Sequence, residues 1–223
     1  MYKNPYVKLK PVTQKPYTEI YLVRHCHPDY RLEKKLGEYN MPLSKTGEQQ
    51  RKYLTKKLLK MDIDSVYASG LCRAQETAAE FIAKTKKTLI IDERLDEINW
   101  KYWHRIKYFN MSEEAREKRL VSYKQLDKRL DRIQTEARCA LSDLFRTNRG
   151  KKILVFSHGN FIKAAITSIL NADVIGFLSL EIFQSSISQL VIDRSGYIKV
   201  TRINDVSHLP HQPEEDLFLS MID

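Results

Sequence analysis

Two histidines in this chain each stand at the end of a short apolar run. Arg24-His25 follows residues 20–23, and His158 follows residues 153–157. Both runs are typical of buried strands, and in open α/β sheets the carboxyl ends of such strands line the crevice that binds ligands. We therefore expect two imidazoles to meet at one site. Arg24 beside them indicates that the site holds an anion.

Two further segments add a second arginine and a carboxylate. Arg73 lies just beyond an apolar run at 63–68, and Glu97 lies beyond another at 88–91. Arginine supplies planar, charged donors that suit a phosphate group. A neutral imidazole can attack phosphorus, and a carboxyl group can protonate the leaving alkoxide. This inventory predicts transfer of a phosphoryl group to a histidine of the chain.

The protonation states follow from the neighbouring charges. Arg24 and Arg73 would disfavour the charged form of His25, so that the ring stays neutral and nucleophilic. Glu97 is the expected proton donor. Its acidic neighbours Asp92, Glu93 and Asp96 remain alternatives for that role.

Strand and helix signals alternate along the chain. Strands are predicted at 18–23, 63–68, 88–91 and 152–157, helices at 44–60, 72–84, 112–147 and 160–170, and a hairpin from 186–193 and 197–204. Ser44 and Ser112 are the expected N-caps of two of these helices. This order favours a three-layer α/β/α sandwich whose sheet is mostly parallel, with an antiparallel edge.

The longest predicted helix, 112–147, carries an apolar stripe that we interpret as a core face. Eight residues recur on it at spacings of three and four: Leu120, Tyr123, Leu126, Leu130, Ile133, Ala137, Leu141 and Leu144. A zipper that binds a partner helix is the alternative.

The composition of the chain narrows the classes of partner that we expect it to bind. The net charge of +10 favours an anionic substrate, but the lysine pairs are scattered, so we expect no nucleic-acid partner. The longest apolar stretch, 161–180, is interrupted by Lys163, Asn171 and Asp173, so no membrane span is expected. Three cysteines make no disulfide framework, and a cytoplasmic location is the default. A homo-oligomer remains one alternative for the assembly.

Five motifs in order resemble the histidine phosphatase superfamily, which also contains the cofactor-dependent phosphoglycerate mutases. The apolar strand with Arg24-His25-Cys26 matches the opening Arg-His-Gly of the family. The other four matches are Pro42 to Gly47 followed by Gln50, Ser69 to Ala78, Leu95 to Ile98, and Ser157-His158-Gly159.

The resemblance implies the roles of these residues and the fold around them. His25 would be the nucleophile, Glu97 the proton donor, and Arg24, Arg73 and His158 the phosphate pocket, with no metal or cofactor. His27 and Asn160 would lie on the substrate side. A single phosphoglycerate mutase-like domain is expected over 18–223, after an N-terminal extension at 1–17. Residues 98–147 would be an insertion on the substrate side of that domain.

Three departures from the family pattern concern the substrate. Cys26 stands in place of the usual Gly, His27 where Glu, Gln or Thr is common, and Lys101 where a Gly is usual. Cys26 and Cys72 each adjoin one of the two arginines, so a redox-sensitive site is one hypothesis and small packing residues are the other. The aromatic and basic residues at 100–109 would form either a lid over the substrate or an ordinary packed surface.

The expected activity is hydrolysis of a small phosphorylated metabolite by a histidine acid phosphatase-type phosphomonoesterase. A cofactor-dependent phosphoglycerate mutase is one alternative, although the mutase contacts after His25 look missing. A catalytically weak member that binds phospho-ligands or a protein is the other. A metal site at His25, His27 and Asp29 is a weaker rival, because a closing histidine is absent at Tyr30.

Overall fold

Six strands form one sheet in the computed structural model, which describes residues 15–100, 110 and 112–211. The strands are β1 (Thr18–Arg24), β2 (Ser65–Ala68), β3 (Leu89–Ile91), β4 (Lys152–Ser157), β5 (Ile187–Ile192) and β6 (Ile198–Asp205). Their order across the sheet is β3-β2-β4-β1-β5-β6. The first four run parallel, β5 is antiparallel to β1, and β6 is antiparallel to β5. The predicted parallel sheet with an antiparallel edge is confirmed.

The helices in the described ranges are α1 (Glu33–Leu36), α2 (Lys45–Leu58), α3 (Cys72–Thr85), α4 (Glu113–Thr147), α5 (Gly159–Ile169) and α6 (Val174–Ser179). Two short 3-10 turns lie at Tyr30–Leu32 and Glu93–Leu95. The sequence did not indicate α1, α6 or these turns. Each of the four is six residues or shorter, so none offers enough periodicity to be recognised.

Helices cover both faces of the sheet, because successive side chains of a strand point to opposite sides. Ile20 and Leu22 of β1 belong to the core shared with α4, α5 and α6. Tyr21 and Val23 belong to the core shared with α2 and α3. The predicted three-layer α/β/α sandwich is therefore confirmed.

The apolar stripe of α4 faces the core from Leu126 onwards. Leu126 is half-buried, while Leu130, Ile133 and Leu144 are buried in the core shared with α5 and α6. Ser112 caps the helix by accepting a hydrogen bond from the Ala115 N–H at 3.2 Å. The side chains of Leu120 and Tyr123, at the amino-terminal end of the stripe, lie outside the described set.

The turn into α2 requires a glycine, which the sequence analysis did not anticipate. A Cβ on Gly47 would lie 2.1 Å from the carbonyl oxygen of His27. Ser44 is the N-cap as predicted, and its hydroxyl accepts from the Gly47 N–H at 3.1 Å. The start of α2 is thus held directly against the segment that follows β1.

Several predictions fall on residues outside the described ranges. They concern most of the 1–17 extension, the 100–109 lid beyond Trp100, and the tail after residue 211. In the part that is described, no helix has the length and apolar character needed to cross a membrane.

Candidate active site

The pairing of β1 with β4 brings the two sequence-predicted histidines together. The strands are parallel neighbours with Arg24 opposite Ser157, so His25 and His158 leave the sheet side by side. Their ring centroids are 5.1 Å apart. The His25 N–H donates to the carbonyl oxygen of Ser157 at 2.9 Å, which extends the ladder to the first residue of the site.

His25 is held as a neutral imidazole with a defined orientation. Its Nδ1 lies 2.7 Å from the Cys26 carbonyl oxygen, which can only accept a hydrogen bond, so the proton is on Nδ1 and Nε2 carries the lone pair. Burial lowers the pKa of His25 well below its usual value, and Arg24 and Arg73 lower it further. A neutral ring with a free Nε2 is the form that a nucleophile requires.

His158 is fully buried beside His25 and does not line the cavity described below. Its Nε2 lies 2.6 Å from the Ser69 hydroxyl, and its buried Nδ1 has no hydrogen-bond partner among the described residues. Burial, and then the neighbouring His25, lower the pKa of His158 well below its usual value. An unpartnered polar atom next to His25 is costly, and a polar ligand would remove that cost.

A cavity of about 520 Å³ opens over His25. Residues distant from one another in sequence line it: Arg24, His25, His27, Tyr30, Glu33, Glu38, Met41, Arg73, Glu97, Gly159, Asn160, Lys163, Glu181 and Gln184. The space is sufficient for a small phosphorylated molecule.

Arg24 lies in the cavity wall with part of its donor capacity unused. Its Nη1 donates to the carbonyl oxygen of Ile182. Its Nε is buried and has no hydrogen-bond partner in the described part of the chain. Gly159 lets the guanidinium approach α5, since a Cβ there would come within 3.3 Å of Arg24 Cζ. A donor kept buried and unused next to His25 suits an incoming anion.

Arg73 reaches the same cavity from the first turn of α3. It is 4% exposed, and its guanidinium donates to the Glu38 carbonyl oxygen at 2.8 Å and to Glu38 Oε1 at 3.2 Å. The Glu38 side chain is mostly exposed. Arg73 thus binds an anionic oxygen that is itself free to move away into solvent.

Glu97 is the acidic candidate that the structure places in the cavity. Its Oε1 accepts from the backbone N–H groups of Ile98 and Asn160, each at 3.0 Å. Burial raises the pKa of Glu97 above its ordinary value, so its protonated form extends to higher pH. Asp92 instead pairs with Arg94, and Asp96 accepts from the Gly70 N–H at 2.6 Å.

Asn160 lines the cavity and also supports Glu97. Its backbone N–H holds the carboxylate, and its Nδ2 donates to the Ile98 carbonyl oxygen at 3.1 Å. The residue therefore fixes the segment that carries the acid.

The two unusual residues after His25 point in different directions. Cys26 packs in the core shared with α2 and α3, and burial raises the pKa of its thiol to about 12. The redox hypothesis expected arginines to lower the pKa of these thiols, and that premise was wrong, because desolvation outweighs the nearby Arg51 at Cys26 and also raises the pKa of Cys72. His27 lines the cavity, with Nδ1 2.8 Å from the Ser44 hydroxyl.

The candidate metal ligands do not converge. His25 faces His158, His27 bonds to Ser44, and the Asp29 carboxylate bonds to Arg31. Within the described ranges, no group of three or more His, Cys, Asp or Glu side chains is placed to hold a metal ion.

Sequence reasoning missed Lys163, Glu181 and Glu38 as cavity residues. A single lysine inside an apolar helix is a signal for a functional residue. Lys163 was interpreted only as evidence against a membrane span. Glu38 and Glu181 lie in irregular segments, where no periodicity assigns a side chain to a face.

The sequence matches the profile of the histidine phosphatase superfamily (branch 1) over residues 20–206. The chain belongs to this superfamily. A curated relative, the probable phosphoglycerate mutase GpmB of Enterobacter sp. (strain 638), is 26% identical over 204 residues, which cover 86% of this chain and 94% of the relative. The family assignment from five ordered motifs is confirmed.

Solved structures of two phosphatases share the fold of this chain. A phosphoserine phosphatase mutant from Entamoeba histolytica in complex with phosphoserine superposes with a TM-score of 0.67 at 21% identity, covering 86% of this chain and 99% of that one. A mycobacterial glucosyl-3-phosphoglycerate phosphatase complexed with VO3 gives 0.63 at 21% identity, with 83% and 98% coverage. At these identities the likeness shows the phosphoglycerate mutase-like fold.

Proposed function

We propose that this protein is a metal-independent phosphomonoesterase that forms a phosphohistidine on His25 and acts on a small phosphorylated metabolite. One observation carries the proposal. His25 is a buried, neutral imidazole with Nε2 as its lone-pair atom, and it lies in one cavity wall with Arg24 and Arg73. An anion-binding cavity built around a nucleophilic nitrogen suits phosphoryl transfer.

The two arginines and His158 hold the phosphate in this proposal. Arg24 offers its unused Nε–H, and Arg73 exchanges the Glu38 carboxylate for phosphate oxygens. Nδ1 of His158, which also has no hydrogen-bond partner among the described residues, donates once the ring is protonated. The charge of a bound phosphate dianion favours that protonation.

The reaction proceeds in two displacements. His25 Nε2 attacks phosphorus, the ester P–O bond breaks, and the carboxyl proton of Glu97 passes to the leaving oxygen. Water then attacks the phosphohistidine while the Glu97 carboxylate takes a proton from it. The N–P bond breaks, its electron pair returns to Nε2, and inorganic phosphate leaves.

The first experiment compares His25→Ala with His211→Ala, an exposed histidine outside the cavity. Hydrolysis of p-nitrophenyl phosphate is assayed in EDTA, and the phosphoenzyme is trapped in base, because phosphohistidine is acid-labile. We expect His25→Ala to lower kcat by about 10³-fold or more and to abolish labelling. Intact activity in His25→Ala would overturn the mechanism. Ligand binding by the wild type without any phosphoenzyme would favour the non-catalytic alternative.

A mutase is the second candidate, because the curated relative is named a probable phosphoglycerate mutase. The two activities differ in the fate of the phosphoryl group, which a mutase returns to its substrate. Phosphorus NMR of the reaction with 3-phosphoglycerate separates them. Release of inorganic phosphate supports the phosphatase, and faster formation of 2-phosphoglycerate supports the mutase.

A further inference from the structure

The cavity contains a buried cation that the proposed chemistry does not use. Lys163 lies on α5 four residues after Gly159, on the face of the helix that borders the cavity. It is 5% exposed, and the helix around it is otherwise largely apolar. Burying an ammonium group is costly unless an anion accompanies it.

Glu181 supplies that anion from the segment between α6 and β5. Its Oε2 lies 3.7 Å from Lys163 Nζ, and its Oε1 lies 4.0 Å from Arg24 Nη1. One carboxylate therefore lies between two cations of the cavity. The Glu181 side chain is 44% exposed, so it can turn into solvent at little cost.

The positively charged side chains divide the cavity into two parts, one that faces the phosphate and one beside Lys163. Arg24 and Arg73 face the phosphate, and Lys163 is the remaining lysine or arginine among the described lining residues. Because a carboxylate of the chain already occupies the place beside Lys163, a carboxylate of a ligand fits there by size and charge. That place adjoins Arg24, so one molecule can reach both parts.

We propose that Lys163 binds a carboxylate on the organic part of the substrate and that Glu181 occupies this place until the substrate enters. The inference rests on the proposed function and narrows it to phosphomonoesters of small hydroxy acids. Lys163 is then a specificity-determining residue, and Glu181 is an internal competitor for the same cation.

Binding to a variant that cannot turn over tests the inference separately from catalysis. The ligands are 3-phosphoglycerate and glycerol 3-phosphate, which share three carbons and a phosphate and differ in the carboxylate. Calorimetry is performed on His25→Ala alone and combined with Lys163→Met or Glu181→Gln. We expect Lys163→Met to weaken the binding of 3-phosphoglycerate about tenfold and to leave the affinity for glycerol 3-phosphate unchanged. Glu181→Gln should raise the affinity for 3-phosphoglycerate, because the competing carboxylate is gone.

Lys57→Met is the matched control. Lys57 also forms a lysine–carboxylate pair, with Asp205 at 2.7 Å, but lies outside the cavity. It should leave the affinity ratio of the two ligands unchanged. Should Lys163→Met fail to fold, the Glu181→Gln result decides alone.

Several outcomes would overturn the inference. One is an equal loss of affinity for both ligands in Lys163→Met. Another is that Glu181→Gln does not raise the affinity for 3-phosphoglycerate. The third is that Lys163→Met lowers the affinity for propane-1,3-diol bisphosphate more than that for 3-phosphoglycerate. The proposed function fails in a different way, by the absence of turnover or of a phosphoenzyme in the wild-type protein.

Discussion

At the scale of single residues, the site depends on which groups are kept neutral. His25 and His158 are buried beside two arginines, and both have a lowered pKa. Glu97 is half-buried, and because it is a carboxyl group its desolvation raises its pKa. Desolvation therefore favours the neutral form of the base and the protonated form of the acid in the same cavity, the pairing that acid–base chemistry at one site needs.

These shifts predict an acidic pH optimum. His25 is active when unprotonated, and its lowered pKa places the acid limb of the kcat/KM profile well below pH 6.5. Glu97 is active when protonated, so kcat/KM falls as pH rises through its raised pKa. In Glu97→Gln the alkaline fall should disappear. Hydrolysis of an alkyl phosphate should slow by about 10²- to 10⁴-fold, and that of p-nitrophenyl phosphate much less, because its leaving group needs no proton.

Glu93→Gln is the control, since Glu93 is an exposed acidic neighbour of the same segment. Its pH–rate profile should match that of the wild type. An alkaline fall that persists in Glu97→Gln would move the acid role to another group.

At the scale of elements, the long helix α4 sets the position of α5 and with it one cavity wall. Leu130, Ile133 and Leu144 bury the α4 stripe against the sheet and α5. Gln134 adds a buried hydrogen bond to Thr167 of α5 at 3.1 Å. Because α5 carries Asn160 and Lys163, the packing of α4 contributes to the site from outside it.

The register of α4 predicts a sharp difference between two substitutions. Leu130 is 1% exposed and Val121 is 61% exposed. We expect Leu130→Ala to lower the free energy of unfolding by about 2–5 kcal/mol through cavity formation. Val121→Ala should change it by less than about 0.5 kcal/mol. Urea unfolding followed by far-UV circular dichroism measures both, and equal effects would contradict the placement of the helix.

At the scale of the whole molecule, the net charge of +10 and the two arginines of the cavity, Arg24 and Arg73, act together on an anionic substrate. A phosphate dianion approaching the protein is attracted over distances that salt screens, with a Debye length of about 10 Å at 0.1 M and about 3 Å at 1 M. The charge of the chain should therefore affect how readily substrate is captured more than the chemical step.

We expect kcat/KM for p-nitrophenyl phosphate to fall about threefold or more between 0.05 M and 1 M sodium chloride, with a smaller change in kcat. Steady-state kinetics across this range measures the effect. Sucrose solutions of matched viscosity control for slower diffusion. A kcat/KM independent of salt would show that the net charge plays no part in substrate capture.

The sequence by itself determined the architecture, because the order of strand and helix signals and the periodicity of α4 are local properties of the chain. It also selected His25, Arg24, Arg73, His158 and Glu97 as one chemical set, since strand ends must meet at one edge of a parallel sheet. Their catalytic roles remain proposals for the experiments above.

Tertiary structure decided what depends on distance and burial. The Cys26 thiol faces the core rather than the phosphate site, and Glu97 rather than Asp96 lines the cavity. Lys163 and Glu181 meet although 18 positions separate them. Which side chain enters a cavity and how far its pKa moves are set by segments distant in sequence, so no local pattern encodes them.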